Sequence, residues 1–418
     1  MVIHVYVGPT LGRAEPVLTT PSVRVLAPVR HGDLFDPAIV SSDTVVVIDG
    51  AWHQAPAVRH KELLGLLDRG VRVIGAASIG ALRAAELYRF GMTGVGRVFR
   101  AYRRGEIDGD DEVAVGQAPD GDLQALTWPL VNVRQAFKLA IRERAVTREA
   151  AAALLEAVRA VYYPQRTTAA VLAVCRRRGA RTVAAWLEDQ KAADPFFADV
   201  KHDDALQALQ VALDGPSSPS RSSAGAVGES GYFRRWANAF ATRSVDGVPL
   251  FTVQRVAYQQ FFDPAFPQVW TAFLDHLSRH PGDGTRGMPL AERIRSVAPD
   301  GALPAHVLFR PQPDLRDGAT VARLLERETA ADRAAIARYT ACNDTTRRTH
   351  AGFCPQAVDE DTTRHVLLRL WNIAPARLEE TAAARGFRSS AHATEELKVF
   401  MAGLVHDQDQ TREMTDAR

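Results

Sequence analysis

The chain has 418 residues, 46% hydrophobic and 24% charged, which suits a globular protein of two or three domains. A net charge of +2 gives no footing to nucleic-acid binding. Three scattered cysteines, Cys175, Cys342 and Cys354, exclude a disulfide framework.

There is no basic leader at the N-terminus and no apolar run of membrane-spanning length, so a cytoplasmic protein with no membrane contact is expected. The basic residues are almost all arginine. The lysines are Lys61, Lys138, Lys191, Lys201 and Lys398, so a lysine in any candidate site stands out.

Val2 to Val7 reads as a buried strand that ends in the turn Gly8-Pro9-Thr10-Leu11. Val23 to Leu26 is a second, shorter strand, followed by a polar loop from Val29 to Leu34. Thr44 to Ile48, nearly continuous in β-branched residues, is a third, and it stops at Asp49-Gly50. A helix is predicted from near Pro56 to Asp68, with Arg69-Gly70 closing it. Val71 to Ile74 is the fourth strand and Ile79 to Tyr88 the next helix. Apolar strands alternating with helices predict a parallel sheet covered on both faces.

From Met92 onward the chain reads as helical. The segments are Gly94–Arg104, Pro129–Arg144, Arg148–Tyr162 and the Ala-rich stretch Ala169–Val211. Gly215–Gly231 is a Pro/Ser/Gly-rich linker. Beyond it, Tyr232–Leu277, Ala319–Tyr339 and Thr362–Leu404 are mainly helical, with aromatic residues at core spacings. The fold class is therefore α/β in the N-terminal domain, a parallel sheet with flanking helices, followed by a mainly α-helical remainder.

Ligands in such sheets sit beyond the carboxyl ends of the strands. That rule gathers Gly8, Thr10, Asp49 and Ser78. Ser78 centres Ala76-Ala77-Ser78-Ile79-Gly80, a G-x-S-x-G nucleophile elbow with Ala for the first Gly. The helix behind it aims free N–H groups at the same spot. Two other readings compete: a plain serine N-cap and an anion-binding turn.

His60 and Lys61 are expected about one turn into the 56–68 helix, bordering the site. His60 shares the apolar face of Leu63, Leu64 and Leu67. Lys61 is turned about 100° away. Either residue could serve as base for Ser78, and the sequence does not choose. Asp49 is a candidate to orient that base, against a simple turn role before Gly50. Pro9 has no N–H, so Thr10 or Leu11 would donate to an oxyanion, with Ile79 as the second donor. Gly8, Thr10, Ile79, Gly80 and Arg83 form the candidate oxyanion and substrate-binding set.

The acidic run Glu106–Glu112 lacks a calcium-loop pattern and reads as a solvated helix end or a partner-facing patch. There is no Walker A motif and no G-x-G-x-x-G after a strand. Gly91–Gly96 is glycine-rich but follows a helix. Cys342, His350 and Cys354 fit no standard zinc spacing. No metal and no cofactor is expected.

Several stretches together resemble the TfuA-like proteins. They are Gly8-Pro9-Thr10-Leu11, Ile48-Asp49-Gly50, His60-Lys61-Glu62, Gly75 to Leu87, Gly91 to Gly96, Asp110 to Val115 and Val131-Asn132-Val133-Arg134. They follow the order the family uses. The resemblance covers about residues 1–165, the TfuA-like core; composition and pattern divide the rest into a helical extension over 166–214, the linker 215–231 and a C-terminal mainly helical domain over 232–418. His31 stands where the family leads one to expect another polar residue, and it is not carried over.

The resemblance further implies a YcaO-domain protein as partner, in peptide backbone thioamidation of ribosomally made peptides. It also implies a thiocarboxylated ubiquitin-like sulfur-carrier protein as donor and a precursor peptide as a third partner. A serine-type hydrolase releasing sulfide from the carrier, with Ser78 as nucleophile, is the enzyme reading. A non-catalytic adaptor that activates the YcaO enzyme or channels sulfide is the alternative. An unrelated small-molecule hydrolase is the third.

Overall fold

A computed structural model describes residues 1–36, 38–51, 56–117, 125–215, 231–245, 248–281, 286–298, 304–350 and 353–407. The chain forms two compact units, Met1–Gly228 and Glu229–Arg418. Nearly all of the 215–231 linker lies outside the described residues.

The first unit is built on five parallel strands: β1 (Ile3–Tyr6), β2 (Val23–Leu26), β3 (Thr44–Val47), β4 (Arg72–Gly75) and β5 (Thr93–Gly94). Their spatial order is β2-β1-β3-β4-β5. The expected parallel sheet is present, with one strand the sequence did not announce. Two residues are too short to carry a strand pattern, and β5 exists because Thr93 and Gly94 pair with Ile74 and Gly75.

Successive side chains of a strand point to opposite faces. Val45, Val47 and Val73 therefore pack on one face with α1 (His60–Asp68), α2 (Ile79–Leu87) and α3 (Gly96–Arg103). Val46, Ile48 and Ile74 pack on the other with Ala205, Ala208, Leu209 and Ala212. These four lie at helical spacing on α8 (Val200–Leu213), and their small side chains bring that helix close to the sheet. The segment expected as an extension is thus integral to the first compact unit.

Between the sheet region and α8, α4 (Leu130–Arg142), α5 (Arg148–Arg159), α6 (Thr168–Arg177) and α7 (Arg181–Ala193) enclose a satellite core. Phe137, Leu154, Val158, Leu172 and Cys175 fill it.

Two sequence expectations are corrected here. Helix α1 begins at His60 and not near Pro56. Residue 56 is instead held by its carbonyl, which accepts from the His31 N–H at 2.9 Å, and the Glu62 carboxylate accepts from the Arg59 N–H at 3.0 Å where the helix starts. The acidic run is not simply a solvated helix end. Glu112 is buried and takes two hydrogen bonds from Arg134, at 2.8 and 2.6 Å. Arg166, also buried, binds the carbonyl and carboxylate of Asp111, both at 3.2 Å.

The second unit is mainly helical. It also holds an antiparallel hairpin, Thr242–Val245 with Val248–Phe251, within a stretch expected from its sequence to be mainly helical. Its aromatic residues do form a core. Phe261 stacks on Phe387 at 4.9 Å between ring centroids, and Tyr258, Tyr339 and Phe400 surround them. Among the described residues, no helix is long and apolar enough to cross a membrane.

Candidate functional site

The strand order places a topological switch between the parallel neighbours β1 and β3: β2 lies on the outer side of β1, and β4 and β5 lie on the outer side of β3. Crevices at the carboxyl ends of such strands are where open α/β sheets bind ligands. The loops after β1, β3 and β4 meet there.

The turn after β4 is strained. The Ser78 N–H donates to the Ala76 carbonyl at 2.7 Å, closing a three-residue turn with Ala77 at φ +64°. A γ-turn with positive φ at an L-residue is rare and costs energy. It persists because the surroundings leave no alternative. A Cβ on Gly80 would lie 1.8 Å from the Val47 carbonyl oxygen, and one on Gly75 would lie 2.1 Å from the Gly80 oxygen. Two glycines thus let α2 press directly onto β3 and β4, and the connection between them must turn sharply.

Ser78 occupies the N-cap position of α2, yet its side chain makes no capping hydrogen bond. The plain N-cap reading fails on that point. Ser78 is 4% exposed. Ile79, the first residue of the helix, has an N–H with no intrahelical acceptor. Gly80 is different, because its N–H reaches the Ile48 carbonyl at 3.3 Å. Gly80 therefore serves the packing of α2 and is not available as an oxyanion donor.

Asp49, two residues beyond β3, is buried. Its carboxylate does not close its own turn. It accepts from the Gly8 N–H at 2.9 Å, the Thr10 N–H at 3.0 Å and the Thr10 hydroxyl at 2.6 Å. Gly8 and Thr10 are thus brought together with Asp49, and their N–H groups are committed to its carboxylate and not held open for a substrate.

Lys201, a residue sequence reasoning did not place here, stands beneath Asp49. Its ammonium lies 4.0 Å from the Asp49 carboxylate and donates to the Val113 carbonyl at 2.9 Å. Burial pushes its pKa below the usual lysine value, while Asp49 and Asp199 pull it back up. Other motif residues hold this lysine in place. Arg134 clamps Glu112, the neighbour of Val113. Asn132 donates to Asp199 at 2.9 Å, and Asp199 caps the first turn of α8 through the His202 N–H. The scarcity of lysine was the available signal. What was missing was the knowledge that α8 lies on the sheet.

His60 and Lys61 are placed otherwise than expected. His60 is the first residue of α1 and its side chain is 47% exposed, not on the buried face. Its Nε2 lies 2.8 Å from Glu86 and 3.3 Å from Arg83 Nη1, and Arg83 itself donates to Glu86 at 2.7 Å. Burial alone would raise the Glu86 pKa, but the hydrogen bonds and charges of His60 and Arg83 hold it below the usual value. Arg83 is thus engaged in a surface cluster joining α1 to α2. Lys61 is exposed. The helix face is misread because α1 buries Glu62, Leu63, Leu66 and Leu67, a stripe rotated away from His60.

Glu62 anchors a second histidine. Its buried carboxylate takes His31 Nδ1 at 2.6 Å and the Gly32 N–H at 2.8 Å. The loop carrying His31 runs beside the Ser78 turn. A Cβ on Gly50 would sit 2.8 Å from Ile79 Cγ2 and 3.1 Å from the Val29 oxygen, so Gly50 alone separates the two segments. A carboxylate on Nδ1 fixes an imidazole's tautomer and orientation.

Residues 49–167 match the model of the TfuA-like protein family, a stretch that starts at Asp49 and takes in the Ser78 turn, Glu62, Glu112 and Arg134. No curated protein matches the chain. Over this stretch, somewhat more than a quarter of its length, the chain is similar to the TfuA-like family.

Proposed function

We propose that this protein supplies sulfur to a YcaO-domain enzyme in peptide backbone thioamidation, by hydrolysing a thiocarboxylated sulfur-carrier protein with Ser78 as nucleophile. The TfuA-like match supports the general role of a YcaO-associated accessory protein. The observation that carries the chemistry is the Ser78 side chain. It sits on a strained turn at a helix N-terminus and caps nothing there.

In the proposed step, the serine oxygen attacks the carrier's terminal thioacyl carbon and the C–S bond breaks. Hydrosulfide leaves and the carrier is held as a serine ester. Water then cleaves that ester, giving the carrier carboxylate and restoring the serine. The sum is one thiocarboxylate and one water converted to one carboxylate and one hydrogen sulfide, with no redox change. The Ile79 N–H faces the developing oxyanion from the helix start. His31, oriented by Glu62, is our choice of base over His60, whose bonds run to Glu86 and Arg83. Asp49 and Lys201 set the floor and the local field.

The test is purified protein mixed with a thiocarboxylated carrier, with sulfide followed over time. Sulfide release that depends on Ser78 supports the hydrolase. Thioamidation that needs this protein equally with carrier and with abundant free sulfide points instead to activation of the YcaO enzyme, the adaptor reading.

A further inference from the structure

We propose that the groove formed by α3, α4 and α5 docks an acidic, amphipathic segment of a partner protein. The groove encloses about 680 Å³ and lies in the first unit, and none of the candidate site residues line it. Each helix offers it a stripe at i, i+3 or i+4 and i+7 spacing. On α3 and just past it these are Arg97, Arg100, Ala101 and Arg104. On α4 they are Val131, Arg134, Lys138 and Ile141. On α5 they are Arg148, Ala151, Ala152 and Leu155.

Two features define the occupant. The floor is apolar, built from Val131, Phe137, Ile141 and Leu155, of which Ile141 and Leu155 remain half-buried. The rim is cationic, and Glu106 is the one carboxylate among the lining residues. Three of the six rim cations already have carboxylate partners: Arg97 with Asp203, Arg104 with Glu106 and Arg134 with Glu112. Arg100, Lys138 and Arg148 are exposed and form no ion pair among the described residues.

An ordinary solvated face would intersperse acids with these bases and would not leave an apolar channel between them. A partner segment with carboxylates flanking apolar anchors matches both features, since complementary charge orients the encounter and apolar burial holds it. A nucleotide matches poorly. The cations are spread over three helices, and no glycine-rich loop offers convergent N–H groups for phosphate.

The probe is a fluorescently labelled helical peptide with glutamates on one face and leucines on the other, titrated by anisotropy against the full chain. Its controls are the lysine counterpart, ATP and phosphatidylserine vesicles. Binding of the glutamate peptide should weaken as salt rises and fall about tenfold or more in Lys138→Glu/Arg148→Glu. Leu155→Ser should weaken it at constant salt dependence. If the double reversal melts early, the single exposed change Arg148→Gln still reports. Ala152→Cys carrying a photo-crosslinker should then label the peptide. The proposal is overturned by no measurable binding of the glutamate peptide, by equal binding of the lysine peptide, or by unchanged affinity in the charge-reversed chain. Preferential capture by the vesicles, or displacement of the peptide by ATP, overturns it as well.

Discussion

The Asp49 carboxylate and the Lys201 ammonium stand 4.0 Å apart, both nearly out of contact with solvent, although one follows a central strand and the other lies in the first turn of the helix laid on the sheet. Asp49 also takes three hydrogen bonds from Gly8 and Thr10. The pair therefore ties the β1 loop, the loop after β3 and α8 together at one point. Removing one member of a buried pair leaves an uncompensated charge, which is costlier than removing both. Lys201→Met should destabilise the protein by about 3 kcal/mol. Lys201→Met combined with Asp49→Asn should cost less than the sum of the single changes. Urea unfolding of the four proteins measures this. Strict additivity would mean that the two groups do not couple.

The two histidines near the site should separate kinetically. His31 is oriented by the buried Glu62, whereas His60 belongs to an exposed cluster with Arg83 and Glu86. A positioned general base contributes roughly a hundredfold or more to rate. His31→Ala should therefore lower sulfide release by that order, and Glu62→Gln should lower it through loss of imidazole orientation. His60→Ala should leave the rate within about twofold, since an exposed ion pair contributes little even to stability. A full loss in His60→Ala with an active His31→Ala would return the base to His60.

Acid should weaken the first unit partly through Asp43. Burial raises its pKa, but hydrogen bonds from the Val2 and Val40 N–H groups and from His4 outweigh that and hold it below the usual 3.8. A carboxyl depressed in the folded state gives stability that is complete above its unfolded pKa, near 4, and is lost as pH falls through its folded value. Asp43→Asn should be less stable than the parent at neutral pH and should lose less on acidification below about pH 4. Thermal melting from neutral pH downward checks both limbs. Parallel stability curves for the two proteins would assign the acid sensitivity elsewhere.

What the sequence disclosed follows from how local each signal is. The strands of β1, β3 and β4 are continuous apolar runs, and the Ser78 turn is written in small residues between a strand and a helix. These features depend on near neighbours, and they were legible. β5 was not, because two residues hold no periodicity. The His60 face was misjudged because counting leucines on α1 cannot reveal that Glu62 is buried by a histidine from another loop. Lys201 was invisible as a site residue because its place depends on α8 crossing the sheet, a long-range contact. The acidic run was legible as charge alone. Its meaning came from Arg134 and Arg166, which lie well downstream.

Ser78 carries the last expectation. Its hydroxyl makes no capping bond, so Ser78→Ala removes no interaction that holds α2 in place. A serine that did cap would cost about 1 kcal/mol on truncation, and here the melting temperature should stay nearly unchanged. Loss of a nucleophile should cost on the order of a thousandfold or more in rate. The two quantities are read on one preparation, by thermal melting and by sulfide release from a thiocarboxylated carrier. Ser78→Cys sharpens the comparison, because a thiol in the same place can still attack the thioacyl carbon and should accumulate an acyl-enzyme visible by mass. Wild-type sulfide release by Ser78→Ala would remove the hydrolase reading. The strained turn would then belong to an adaptor whose business is docking alone.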